Sequence, residues 1–339
     1  MVNLFIVLFI ILSLLVFQNF NEKSSKIIYI VIGAILVLIA GFRGEGVDKD
    51  YENYLYAFYN TDTILEFSFN SLSSIIKFFS DSPLFIFVFY AIIGVTVNLI
   101  AIKRITELYL LSLLVYFSWF FILHEMTQIR IGVSCAFLLL SIKPLFQRNT
   151  MSILLLFSMA VFFHYSALII LLLLFINPNN FDRNKWIWIV PLGYLIHYLG
   201  FNLLSYLPIS FLTEKIEIYE ELNSSGLKGF SGINVSNPVY LSNIAIYYFL
   251  LFNIEKIYLR NKYVYLLLKI YGLALFMFTS LSFITVIASR YYEFFGVVQI
   301  ILLPLIYYTF KRPQIAKLVI WVYTVFSLWV MLDYNQLIV

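Results

Sequence analysis

A dense group of ionisable and aromatic side chains follows an apolar run near the start of the chain, in residues 42–54, FRGEGVDKDYENY. The side chains that could act there are Arg43, Asp48, Asp50, Tyr51 and Tyr54. An arginine can bind an anion, and a carboxylate can accept a proton or hold a sugar hydroxyl. Asp48 and Asp50 also have the D-x-D spacing of metal-assisted sugar transfer, which is a weak signal in a two-residue pattern. We predict that this segment forms the first half of a site.

Further polar groups interrupt apolar sequence at three later places. The residues concerned are His124, Glu125, Gln128 and Arg130 in HEMTQIR, His164 in FHYSAL, and Arg290, Tyr291, Tyr292 and Glu293 in RYYE. Ionisable groups in or just beneath a bilayer surface are costly and usually face a cavity or a partner. We therefore treat all of them as site residues.

Each group also has a structural interpretation. Arg130 opens an apolar helix and can extend its charge to the lipid headgroups, and His164 can be a hydrogen-bonded core histidine. Arg290 and Glu293 have i,i+3 spacing, which suits a structural salt bridge. His124 and Gln128 have i,i+4 spacing and so share a helix face. The residue types alone leave both interpretations open.

The arginines indicate the class of ligand. A guanidinium binds phosphate through two parallel hydrogen bonds and stays charged at any relevant pH. Three isolated arginines, Arg43, Arg130 and Arg290, suit a lipid-linked diphosphate whose tail lies in the bilayer. No His or Cys stands at metal-ligand spacing, and no nucleotide-binding or nucleophile motif is present, so we predict neither a metal nor a cofactor.

Composition sets the class of protein. Of the 339 residues, 62% are hydrophobic and 12% are charged, whereas soluble domains carry about 25% charged residues. The net charge of +4 comes from basic residues beside apolar runs, so we predict membrane lipid and no nucleic acid as partners. One cysteine, Cys135, excludes an intramolecular disulfide.

The apolar runs predict an all-α polytopic bundle of about eleven to twelve transmembrane helices in one domain, residues 1–339. The runs are 3–19, 27–42, 84–102, 108–123, 129–146, 151–177, 186–208, 238–254, 263–288, 292–310 and 316–334. Each must be helical because unpaired backbone in lipid costs several kcal/mol per group.

Lysine and arginine orient the loops, because short cytoplasmic loops are enriched in these residues. The basic loops follow the first, third and fifth runs and recur later in the chain. The remaining loops are acidic, aromatic or long, and we assign them to the outer face: 43–83, 124–128, 209–237 and 289–293.

Alternation of the loops fails at residues 151–177 if that run crosses once. It is restored if the run enters and returns as a broken hairpin with His164 at its tip, each arm being too short to cross about 30 Å of hydrocarbon. Irregular backbone at that depth must line a cavity or be buried in protein. We predict a re-entrant pair below an outward-facing cavity, as in GT-C-type enzymes; the alternative is one long tilted helix.

Two segments are predicted to lie outside the spans. Residues 64–80 alternate apolar and polar groups with a helical period, which indicates an interfacial amphipathic helix. Residues 209–237 begin charged and end rich in Gly, Ser and Asn, which is typical of a helix followed by a mobile lid or of a disordered connector.

Three short strings resemble one family. They are Arg43, Val47, Asp50, Tyr51 and Tyr54 after the second run; Arg130 with Gly132; and His164 with Ser166 and Ala167. Together they look like the EpsG family of bacterial polysaccharide polymerases, related to the Wzy O-antigen polymerases. That family usually has Gly where this chain has Asp48, so a shared acidic role for Asp48 does not follow.

The resemblance implies a multi-pass enzyme of the bacterial inner membrane that acts on the periplasmic or outer face. It would transfer a growing glycan from undecaprenyl diphosphate to the non-reducing end of a new undecaprenyl-diphosphate-linked repeat unit. On this expectation Arg130, Arg290 and Arg43 bind the diphosphate and His164 is the base or acceptor orienter, with Asp50 as the second choice. Glu125 and Glu293 would orient the arginines, and a chain-length regulator could be a partner.

Three other functions use similar features. A GT-C-type glycosyltransferase would take one sugar from a polyprenyl phosphate and use Asp48 and Asp50 as base or metal ligands. An O-antigen ligase would differ in accepting lipid A-core. A lipid-linked oligosaccharide flippase would instead carry charges along a path through the bilayer, whereas the central spans here are almost uncharged.

Overall fold

The computed structural model describes residues 1–60, 66–201 and 233–338. Nearly all of this part of the chain is helical, and its one β pairing is an isolated antiparallel bridge between Asp48 and Ile338. The predicted all-α class is therefore confirmed. The bridge joins Ile338 to the polar segment that follows the second helix.

Seventeen helices are described. The first nine are α1 Val2–Phe17, α2 Glu22–Gly41, α3 Tyr51–Tyr59, α4 Phe67–Phe79, α5 Leu84–Ile105, α6 Tyr109–Thr127, α7 Ile129–Gln147, α8 Thr150–Phe163 and α9 Tyr165–Phe175. The others are α10 Arg183–Trp186, α11 Ile189–Leu199, α12 Pro238–Phe252, α13 Ile254–Tyr258, α14 Val264–Ser280, α15 Thr285–Gly296, α16 Gln299–Tyr308 and α17 Pro313–Tyr334. Helix α6 takes π geometry from Tyr116 onward, and α9 is a 3₁₀ helix.

Five of the described helices are long and apolar enough to cross a membrane: α2, α5, α6, α7 and α17. The pair α15–α16, bent by 42°, provides a sixth if it is one span. Shorter apolar helices account for the other predicted runs, so the protein is a multi-pass helical membrane protein. The run predicted over 186–208 corresponds to α11, and residues 202–208 lie outside the described part.

Two predicted loops are wrong. Residues 124–127 continue α6, and residues 289–293 lie inside α15. The true break in that later region falls between Ser280, where α14 ends, and Thr285, where α15 begins. Polar side chains are typical of loops, but here they lie within helices, where neighbouring elements bury residues 124–127 and partly bury residues 289–293.

The predicted break at His164 is confirmed, and a single tilted helix over 151–177 is wrong. Helix α8 has 14 residues and α9 has 11, with extended backbone at His164 between them. The guanidinium of Arg148, just before α8, donates to the carbonyls of Leu174 (3.2 Å) and Ile176 (2.7 Å) at the far end of α9. The two arms therefore begin and end together, with His164 at the tip.

A buried lysine fixes the chain that leaves this hairpin. Lys269 of α14 donates its ammonium group to the carbonyls of Asn177 (2.6 Å) and Asn180. Its charge also lies 5.8 Å from the ring centres of Phe181 and Trp186. The exit of the hairpin is thus held at the end of the bundle where α14 begins.

Helix α4 forms where the amphipathic pattern predicts it. Ser68, Phe69 and Ser73 are buried against the bundle, whereas Phe78 and Phe79 are 83% and 80% exposed. An outer face of this kind suits contact with lipid. Helix α3, which precedes it, was not predicted as a separate element. Of the predicted lid at 209–237, residues 209–232 lie outside the described part.

Candidate functional site

Arg43 and Asp48 form a closed ion pair just beyond the end of α2. The Arg43 Nε donates to Asp48 Oδ2 at 2.8 Å, and neither side chain is exposed to solvent. The other Asp48 oxygen accepts the backbone N–H of Asp50 at 3.0 Å. Between the pair, Gly46 takes a left-handed backbone (φ +71°) that a side chain would disfavour. The turn is therefore built around the ion pair.

Arg43 also joins this turn to the bundle. Its Nη1 donates to the carbonyls of Ala40 (2.8 Å) and Glu125 (3.3 Å), and its charge lies 4.4 Å from the centre of the Phe87 ring. Burial lowers the pKa of Arg43, and the neighbouring Asp48 opposes that shift. Arg43 Nη2 is buried and has no hydrogen-bond partner among the described residues. Most of the guanidinium is thus occupied within the protein.

A second group of charges joins three separate segments; we call Glu66, Arg130 and His164 the Glu66 cluster. One oxygen of Glu66 contacts Nη1 of Arg130 in an ion pair, and the other contacts Nδ1 of His164. The side chains of Glu66 and His164 are 8% and 6% exposed, whereas that of Arg130 is 20% exposed. The cluster is nearly enclosed but retains an edge on the solvent-accessible surface.

The three side chains of the cluster come from the ends of different helices. Glu66 is the residue before α4, Arg130 is the second residue of α7, and His164 stands between α8 and α9. The backbone N–H of Phe67 donates to the hydroxyl of Tyr165 at 3.1 Å, which holds the start of α4 against the hairpin tip. The cluster therefore depends on the break at His164.

Tyr54 and Asp50 connect the first polar segment to this cluster. The guanidinium of Arg130 lies 5.6 Å from the centre of the Tyr54 ring. Burial raises the pKa of Asp50, while a hydrogen bond from Asn53 and the positive charges of Arg130 and Arg43 oppose the rise. Two of the three predicted arginines therefore act on one carboxylate.

The third arginine approaches from α15. The ring of Phe294 stacks on that of His164, with 6.5 Å between ring centres and 10° between planes. Arg290 precedes Phe294 by one helical turn, which puts both residues on one side of α15. Arg290 therefore lies beside Phe294, at the edge of the helix face that contacts His164.

Two of the remaining predicted residues, Glu125 and His124, are buried in the interior of the bundle. Glu125 accepts hydrogen bonds from Asn98 Nδ2 (3.1 Å) and Tyr116 OH (2.9 Å) and packs against Gly94. Its carboxylate is therefore engaged in the interior, and only its carbonyl reaches an arginine. His124 is buried beside it, 5.7 Å from the ring of Phe120.

Gln128 follows the last residue of α6, and its side-chain oxygen is buried without a hydrogen-bond partner in the described part of the chain. Because α6 is a π helix at this point, the predicted i,i+4 relation of Gln128 to His124 does not apply. Tyr51 stacks on Phe87 with 4.7 Å between ring centres. Tyr291 is half-buried on α15.

Glu66 belongs to this cluster but is not among the site residues predicted from the sequence. It is the one acidic residue in the stretch 64–80, ILEFSFNSLSSIIKFFS. A lone carboxylate at the start of an amphipathic helix could have indicated a site residue. It also fits the polar face of such a helix, so it was not predicted as one. No three His, Cys, Asp or Glu side chains within the described ranges gather as a metal site.

Comparison with known proteins supports the family that the three short strings in the sequence indicate. The amylovoran biosynthesis protein AmsC of Erwinia amylovora is 25% identical over 309 residues, which cover 84% of this chain and 81% of the relative. No solved structure matches the chain significantly. The profile of the EpsG family matches residues 26–338, nearly the whole sequence. The chain therefore belongs to the EpsG family.

Proposed function

We propose that this protein polymerises lipid-linked oligosaccharide repeat units of a bacterial surface polysaccharide. It would transfer the growing glycan from undecaprenyl diphosphate to the non-reducing end of a new undecaprenyl-diphosphate-linked repeat unit. The observation that carries the proposal is the Glu66 cluster, in which a histidine, a carboxylate and an arginine from distant segments meet. EpsG family membership and the resemblance to a protein of amylovoran biosynthesis support the same class of product.

The cluster offers the two groups that glycosyl transfer needs: a base for the acceptor hydroxyl and a cation for the departing diphosphate. With the Glu66 carboxylate at Nδ1, the ring proton would be held there and Nε2 would be the basic nitrogen of His164. His164 Nε2 would take the proton of the acceptor hydroxyl as its oxygen bonds to the anomeric carbon. The bond from that carbon to the diphosphate oxygen breaks, and undecaprenyl diphosphate leaves with the electron pair. The imidazolium that forms is stabilised by Glu66.

Arg130 would stabilise the departing diphosphate. It is the most exposed member of the cluster and can present a planar fork of donors to phosphate oxygens. In the structure Glu66 is bound to Arg130, so an incoming diphosphate would compete with that carboxylate. Arg290, on the neighbouring face of α15, is positioned to assist. Arg43 would act indirectly, since Asp48 and two carbonyls occupy it.

We place the reaction on the periplasmic or outer face of the cytoplasmic membrane. The proposed site lies at the hairpin tip, opposite the arm ends that Arg148 holds together. A cleft lined by Lys103, Arg104, Arg260 and Lys262 marks the ends of other helices, and such basic loops are usually cytoplasmic.

The test is a strain that lacks the gene, examined for surface glycan on a gel. Loss of the long ladder with one repeat unit left on its acceptor or carrier is expected. Wild-type protein should restore the ladder, and His164→Ala should not. A precursor trapped on the cytoplasmic face would indicate a flippase, and a repeat unit one sugar shorter would indicate a single-sugar transferase. Normal ladders from Arg130→Ala and Arg290→Ala at normal protein levels would contradict the binding of the diphosphate by these arginines.

A further inference from the structure

A second concave site lies on the opposite side of α15 from the Glu66 cluster. It is a cavity of about 630 Å³ between α6, α12, α14, α15 and α17. Its walls include Trp119, Tyr240, Tyr292 and Trp329, with Glu293 and Asn335 among the polar groups. Clefts of this size, with aromatic walls and a few fixed polar groups, are typical small-ligand sites.

The charge of the cavity separates it from the Glu66 cluster. None of its described lining residues is a lysine or an arginine, and Glu293 contributes a carboxyl group. A diphosphate would find no cationic partner among these lining residues, because phosphate recognition relies on arginine, lysine or a metal. Aromatic faces can pack on the C–H faces of a sugar ring, while carboxylate and amide oxygens accept hydrogen bonds from sugar hydroxyls. The lining therefore suits a saccharide.

One wall of the cavity is held rigid by a buried polar network. Asn243 donates to the hydroxyl of Tyr292 at 2.6 Å. The side-chain oxygen of Asn243 accepts from Gln299 (2.8 Å) and from the Tyr323 hydroxyl (2.7 Å). Helices α12, α15, α16 and α17 are joined in this way. A wall fixed before binding lowers the entropy cost of holding a ligand.

Helix α15 places the cavity next to the proposed chemistry. Ser289, Tyr292 and Glu293 line the cavity, whereas Phe294 stacks on His164. Successive residues turn by about 100° at 3.6 residues per turn, so Arg290 falls between these two faces. Helix α15 therefore separates a cavity that suits a saccharide from the Glu66 cluster, where we propose that the diphosphate binds. Arg290 lies at the edge between them.

The cavity also lies at the same end of the bundle as the first polar segment. The carbonyl of Asn335, a lining residue, accepts from the ammonium group of Lys49 at 2.6 Å. Asp48 pairs with Ile338 close by. A sugar in the cavity would thus be on the side where Arg43, Arg130 and His164 are found.

We infer that this cavity binds the terminal sugars of the acceptor repeat unit, apart from the donor diphosphate at the Glu66 cluster. The inference rests on the proposed polymerase function. It explains why the protein has two polar regions with different charge, since a polymerase must hold two lipid-linked substrates at once. The acceptor hydroxyl would reach His164 past the edge of α15 that carries Arg290.

The experiment measures binding of a free oligosaccharide to the full-length protein in nanodiscs. The probe is the repeat-unit oligosaccharide released by mild acid from the carrier lipid of cells lacking the gene, and saturation-transfer NMR gives its Kd. Val239→Trp fills the cavity and should weaken binding at least tenfold. Val325→Trp, on the exposed face of α17, is the matched control and should bind as wild type.

Glu293→Gln is the second variant, since it keeps the shape of the side chain if Val239→Trp fails to fold. It should weaken binding severalfold. Wild-type affinity in both cavity variants, or no binding to wild type, would overturn the cavity assignment. The deletion strain separates the two proposals: a lost ladder with unchanged binding in the variants refutes the cavity assignment alone, whereas a retained ladder refutes the polymerase function.

Discussion

Two ion pairs occupy the same end of the bundle and differ in how they are built. Arg43 and Asp48 are five residues apart and lie within one turn, and neither side chain is exposed. The Glu66 cluster joins residues from three segments, and Arg130 keeps a fifth of its side-chain surface exposed. The first arrangement is closed by local sequence, whereas the second exists only because distant elements meet.

On the proposed function, this difference separates a structural role for the Arg43–Asp48 pair from a chemical role for the Glu66 cluster. Removing one partner of a fully buried pair leaves an uncompensated charge, so such a pair is destabilising to break. In the Glu66 cluster Arg130 is partly exposed, so on the proposed function an anionic ligand would compete with Glu66 for it. We therefore expect changes at Arg43 to affect folding first and changes at the Glu66 cluster to affect transfer first.

The largest effect is expected from His164→Ala. Loss of a positioned general base lowers the rate by about 10²–10⁴-fold, so polymer formation by protein in nanodiscs should fall by that factor at unchanged melting temperature. His197→Ala is the matched control, since His197 bonds to Ser282 (2.6 Å) away from the cluster. Equal activity in the two variants would remove His164 from the mechanism.

The next effect is on stability. Arg43→Ala should destabilise the protein by about 3–5 kcal/mol, because it leaves Asp48 buried without its partner. Thermal unfolding followed by size-exclusion chromatography gives the comparison, and the Arg43→Ala/Asp48→Ala double variant should recover part of the loss. An Arg43→Ala protein that melts normally but makes no polymer would place Arg43 at the substrate instead.

A smaller effect is expected from Arg130→Lys. Lysine keeps the charge but loses the planar fork that binds phosphate through two hydrogen bonds. Transfer should fall by about tenfold, which corresponds to about 1.4 kcal/mol, and Arg130→Ala should fall further. Kinetics with purified lipid-linked repeat unit provide the measurement. Identical rates for the lysine and alanine variants would mean that charge at this position does not assist transfer.

The smallest effect concerns Asp50, which lies between the two regions. Its pKa is raised by burial, so the folded protein binds this proton more tightly than the unfolded chain. Stability is therefore lost as pH rises through the folded pKa. Asp50→Asn should melt like wild type near the ordinary aspartate pKa of about 4 and become relatively more stable as the pH rises toward neutrality.

A constant difference in melting temperature across that pH range would contradict the role of burial at Asp50. The same variant also checks the choice of base. If Asp50→Asn loses polymer formation while His164→Ala keeps it, then Asp50, and not His164, accepts the proton. Retention of most activity would sharpen the contrast between the two regions.

Hydrophobic pattern and charge were enough to predict much of the fold. The all-α class follows from apolar runs, because backbone in lipid must be hydrogen-bonded within its own segment. The break at His164 followed from loop charges, since two basic turns had to lie on the same side. The predictions of loops at 124–128 and 289–293 were wrong, because a segment with polar side chains can stay helical when other helices pack against it.

The sequence by itself determined a multi-pass helical protein, the arginines at 43 and 130, and the histidine at a broken hairpin. Tertiary structure alone decided that Glu66 joins Arg130 to His164, that Asp48 closes Arg43, and that α15 divides a cavity from the cluster. Periodicity is a local property set by burial and hydrogen bonding within a segment. Which distant side chains share a proton or a charge depends on packing, which no single segment encodes.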